Sequence, residues 1–98
     1  MYDEFILSVE KLKALCIKEL YERKAGNSGE SSVNQLEQII KESDEILLKI
    51  SMGDIPPKSN RFFNSFAHAF KVWGWNMKNP TELYILLCQI NSAYENLE

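Results

Sequence analysis

Ninety-eight residues, 45% of them hydrophobic and 26% charged, describe one globular domain with its own core and exclude a disordered chain. The net charge of −3 gives no overall attraction to a polyanion, and two cysteines are too few for a disulfide framework or a metal-ligand pattern. No run approaches the ~18 apolar residues of a membrane span, and Asp3 and Glu4 stand where a signal peptide carries basic residues. The expectation is a cytoplasmic protein with Cys16 and Cys88 reduced.

The chain opens on a helical pattern over residues 2–24. Phe5, Val9, Leu12, Cys16 and Leu20 form one stripe, and Glu10–Lys13 and Glu19–Arg23 have ion-pair spacing. A polar connection from Ala25 to Ser31 follows. Ser32 and Gln35 then have the spacing of a capping box for a second helix, expected over 33–52. Its inner face is Val33, Leu36, Ile40, Leu47 and Ile50, widened by Ile39 and Ile46, with Glu42, Asp44 and Glu45 mostly outward. Gly53 suits a left-handed C-terminal cap, and Pro56-Pro57 forbids continuation.

A third helix is expected over 61–73, capped by Ser59 or Asn60. It carries an aromatic stripe of Phe62, Phe63, Phe66, Ala69, Phe70 and Trp73 within an arc of about 120°, which reads as core. Asn64, His68 and Lys71 lie opposite, so His68, the one histidine, reads as a solvated surface group. Gly74 ends this helix. Asn79 as N-cap with Pro80 at the first helical position starts a fourth, expected over 80–97. Four helices with short connections predict an all-α, antiparallel, up-down-up-down four-helix bundle in a single domain spanning 1–98.

Charge is unevenly spread. Residues 26–55 carry a net of −4, whereas residues 56–79 hold Lys58, Arg61, Lys71 and Lys78 with no acid. Arg61, Lys71 and Lys78 with Trp75 resemble a small basic-aromatic patch, too thin for nucleic acid and facing repulsion from the acidic second helix. An acidic protein surface or anionic lipid head groups suit it better. In the last helix Ile85 lies nearly opposite the apolar arc, with Tyr84 and Cys88 between it and the core edge, as a protein contact or a wider buried face would require. No phosphate loop, metal motif or nucleophile–histidine pairing is present, so neither enzyme chemistry nor a cofactor or metal is expected.

From Leu36 to Leu97 the layout resembles the small bacteriocin immunity proteins of the enterocin A type. The elements that carry the resemblance are a leucine/isoleucine helix ending at Ser51-Met52-Gly53-Asp54, a proline-containing connection, an apolar third helix, and a capped final helix with Leu83, Leu86 and Ile90. The resemblance implies a cytoplasmic four-helix bundle that protects its cell by engaging the bacteriocin-occupied membrane receptor, a mannose-type sugar permease. It also implies that specificity lies in the C-terminal half. The expected partner surface is then Lys71, Trp73, Trp75, Asn76 and Lys78, with Ile85 outlying, on a monomer or weak homodimer with some peripheral membrane contact. Two alternatives stand beside it. One is an immunity protein or antitoxin that blocks a soluble toxin through Glu37, Glu42, Asp44 and Glu45; the other is a small nucleic-acid-binding regulator using the basic turn.

Overall fold

The structure, a computed structural model, describes residues 2–61 and 63–97; Phe62, assigned above to the aromatic stripe, lies outside the described residues. Among the described residues four α-helices follow one another: α1 (Asp3–Lys24), α2 (Val33–Ser51), α3 (Asn64–Lys71) and α4 (Glu82–Glu95). A single 3-10 turn, Lys58–Asn60, precedes α3.

The helices form a closed ring, α1 against α2 and α4, and α3 against α2 and α4. Their directions follow from cross-helix contacts. Lys13 pairs with Asp44 while Arg23 reaches the Ser31 carbonyl, so α2 runs back along α1. Glu42 meets Asn64 while Gln35 meets Trp75, and Phe63 meets Asn91 while Phe66 meets Tyr84, so α3 and α4 each reverse again. The bundle is up-down-up-down. Phe5, Val9, Leu12 and Cys16 of α1 are buried against Leu36, Ile39 and Ile46 of α2 and Leu83, Leu87 and Ile90 of α4. Each fully buried leucine of this set contributes about 1.5–3 kcal/mol relative to exposure, which makes apolar burial the main support of the long helices. Phe5 also stacks on Tyr94, ring centroids 5.6 Å apart.

The helix ends separate what local chemistry dictates from what neighbours impose. Ser32 and Gln35 form the expected capping box, each side chain bonding the other's backbone N–H. Gly53 adopts a φ of 71°, and the Asp54 N–H returns 2.9 Å to the Lys49 carbonyl, closing α2 in a Schellman turn. Helix α3 departs from expectation. It starts at Asn64, because Ser59 and Asn60 belong to the 3-10 turn, and its N-cap Phe63 has no capping side chain. Helix α4 starts later as well, at Glu82. The Thr81 hydroxyl accepts from the Tyr84 N–H at 3.2 Å, while Asn79 donates its own N–H to the Asn76 side chain. Threonine, two residues on from the expected asparagine, is the cap.

Candidate functional site

Eight residues are too few for a self-supporting helix, and α3 is held from both sides. Toward α4, the Phe63 N–H donates to the buried Asn91 Oδ1 at 2.7 Å. Toward α2, the Glu42 carboxylate accepts from the N–H groups of Asn64 and Ser65, each at 2.7 Å, and from the Ser65 hydroxyl at 2.6 Å. Glu42, expected to point outward, thus caps a helix other than its own. A negative charge suits that place, since free N–H groups and the positive end of the helix dipole converge there.

The same side of α2 continues the attachment. Gln38 Nε2 lies 2.8 Å from His68 Nδ1, Gln35 Oε1 accepts the Trp75 indole N–H at 3.1 Å, and Glu30, just before the helix, accepts the Asn76 N–H at 2.8 Å. Glu30, Gln35, Gln38 and Glu42 therefore bind the segment 64–76 from end to end. His68 is accordingly a half-buried, hydrogen-bonded group with Trp73 edge-on at 5.8 Å, and the solvated reading of it is corrected.

The expected partner surface divides. Trp75 is 4% exposed, so it is no contact anchor. The positive φ of Gly74 (68°) folds the chain back, the Trp75 N–H reaches the Ala69 carbonyl at 3.1 Å, and the ring packs on Tyr84 and Trp73. Trp73 is half-buried. Asn76 is exposed, but its side chain accepts from the N–H groups of Lys78 and Asn79 and shapes the turn. Lys71 and Lys78 are exposed as expected, and Ile85, left open between a protein contact and a wider buried face, is exposed as well. Arg61 is drawn away from the basic patch, its guanidinium donating to the carbonyls of Pro56 and Leu97.

What the sequence did not reveal is an apolar trough along the α3–α4 seam. Phe66 and Phe70 of α3, Met77 and Pro80 of the turn, and Tyr84, Ile85 and Cys88 of α4 line a cavity of about 280 Å³. Phe70, Met77 and Ile85 remain 46%, 57% and 45% exposed. Phe70 was expected in the core. Because α3 is short and its buried side is Ser65 and Ala69, Phe70 falls on the rim. The signal for the trough was present in Ile85 and Cys88 on the outer side of α4, but its other wall depends on where α3 settles. Lys71 and Lys78 follow trough residues directly in the chain, and among the described residues neither enters an ion pair.

No family model, curated protein or solved structure matches this chain.

The remaining groups fit packing and solvation. Burial pushes the Cys16 thiol up to about 12, helped by the nearby Glu19 charge, and burial also raises Cys88, opposed by a backbone hydrogen bond. Among the described residues no three histidine, cysteine or acidic side chains converge as metal ligands, and no helix is long and apolar enough to cross a membrane. Of the acidic set on α2, Glu42 is engaged as the cap of α3 and Asp44 binds Lys13 at 2.6 Å, leaving Glu37 and Glu45 on the exposed surface.

Proposed function

We propose that this protein is a non-enzymatic bacteriocin immunity protein that acts in the cytoplasm by binding the bacteriocin-occupied membrane receptor. The observation that carries the reading is the α3–α4 trough, where exposed Phe70, Met77 and Ile85 sit beside Lys71 and Lys78. That surface lies in the C-terminal half, where the enterocin A-type layout places specificity. Its apolar rim supplies anchoring area, and its lysines steer an acidic or membrane-adjacent partner. The partner surface is accordingly revised to Phe70, Lys71, Met77, Lys78 and Ile85. Trp75, buried and edge-on to Tyr84 at 5.6 Å, supports it from beneath, with Trp73 packed on Trp75.

The toxin-mimicry alternative is disfavoured because Glu42 and Asp44 are already engaged within the molecule. The test is protection of a bacteriocin-sensitive strain by native protein and by a Lys71→Glu/Lys78→Glu variant of unchanged helicity. Protection by the native chain and its loss in the variant is the expected result. Full protection by the variant would remove this surface. Affinity capture from detergent extracts of bacteriocin-treated cells should recover sugar-permease subunits; a single soluble toxin recovered instead would overturn the receptor reading.

A further inference from the structure

The trough has internal spacing. A second depression of about 440 Å³ adjoins the first, and Phe66 and Phe70 line both. The first extends to Ile85 and Cys88, the second to Lys71 and Glu95. Side chains entering the two depressions would flank one aromatic wall, a separation matched by helix positions i and i+3 or i+4, whose Cβ atoms lie about 5–6 Å apart. Helices that dock in grooves use anchors at this spacing. Charge favours an acidic occupant. Lys71 lines the second depression together with Glu95, and Lys78 follows Met77 of the first in the chain, within a segment, 56–79, that has no acid.

We propose that the trough receives an amphipathic helix of a partner protein, with two large apolar side chains one turn apart in the two depressions and acidic residues against Lys71 and Lys78. This rests on the reading of the α3–α4 face as the partner-binding surface. A bilayer fits less well, because the apolar surface follows a seam between two helices and suits a rod-shaped occupant. A second copy offers Leu48 and Met52 one turn apart on α2, near Asp44 and Glu45, both apolar side chains exposed. Leu48 lines the α1–α2 groove, however, and that edge is opposite the trough in the helix ring. Such a contact would be heterologous, head to tail, and not the self-complementary pairing of a two-fold dimer.

The experiment uses the full chain and a synthetic helix of about four turns with leucines at i and i+4 and flanking glutamates, a copy with lysines for glutamates, and phosphatidylglycerol vesicles. Amide NMR shifts locate binding. Cys88, half-buried in the trough wall, reports occupancy by its modification with N-ethylmaleimide, because Cys16 is fully buried. The acidic helix should shift signals of 66–71 and 84–89 and slow Cys88 modification. Reversing the peptide's charge should weaken binding ~3–10-fold at low salt. Ile85→Glu should abolish it.

Binding of neither helix, equal binding of both, shifts confined elsewhere, preference for vesicles, or self-association in sedimentation velocity would each overturn the proposal. Failure of the helix with loss of protection in Ile85→Glu would discard the helix and keep the immunity reading. Helix binding with full protection by Ile85→Glu would do the reverse.

Discussion

Helices α1 and α2 meet along 22 and 19 residues through side chains such as Leu12, Leu36 and Ile39 that are wholly inaccessible to water. Helix α3 has eight residues, and the segment 63–76 that contains it is tied to Gln35, Gln38 and Glu42 of α2, to Glu30 just before that helix, and to Asn91 of α4. The first pair is stabilised by area, the second by directed hydrogen bonds. Area is spread over many residues and tolerates drift. Directed bonds fix position and fail one at a time. A segment whose outer side lines the apolar trough gains from being placed in the second way, because its register is set while Phe70 stays exposed.

The comparison breaks most visibly in the core. Leu12→Ala should cost about 2–5 kcal/mol, seen as a lowered urea midpoint for the whole molecule. Glu42→Ala leaves two N–H groups and a hydroxyl without their acceptor and should cost about 1–3 kcal/mol. Its signature is local: amide exchange of 64–71 should accelerate while α1 and α2 stay protected, and uniform acceleration would mean that α3 is no separate unit. Gln35→Leu removes the acceptor shared by the Trp75 indole and the Ser32 N–H and should cost about 1 kcal/mol, read as a fall in Tm.

The smallest effect concerns pH. Burial holds Glu19 above its ordinary carboxylate value, with Arg23 opposing the shift and Glu22 and Glu82 adding to it. The folded state therefore binds this proton more tightly than the unfolded chain. The associated stability is fully present below the ordinary value and is lost as pH rises through the raised one. Denaturation midpoints measured upward from the ordinary carboxylate range should decline by an amount that Glu19→Gln abolishes. An identical slope in the variant would assign the decline elsewhere.

The long helices were legible because periodicity and capping are local. The stripe from Phe5 to Cys16, the Ser32–Gln35 box and the Gly53 turn all appear as the spacing demands. What escaped sequence reasoning came from residues distant in the chain. Nothing near residue 64 indicates that Glu42, more than twenty positions earlier, is its cap, and an outward glutamate on α2 is what solvation alone predicts. Trp75 escaped for a similar reason. Sequence alone assigns a tryptophan beside a glycine in a basic turn to the partner surface and leaves its burial undecided, yet Gly74 turns it inward, where Gln35 satisfies its one polar atom. The site was therefore half legible: Lys71, Lys78 and Ile85 stand on the surface, while Phe70 and Met77 needed the fold to bring them beside Ile85.

The two tryptophans have an optical consequence. Their ring centroids lie 5.3 Å apart at the end of α3, and the chain has no other indole. Intrinsic fluorescence excited in the red edge of the absorption band therefore samples the segment that Glu30, Gln35 and Gln38 hold, and is blind to the long α1–α2 hairpin. Thermal melts followed by emission and by far-ultraviolet dichroism should separate whenever that segment loosens first, so the difference between the two curves is a direct gauge of how firmly the trough is kept in shape.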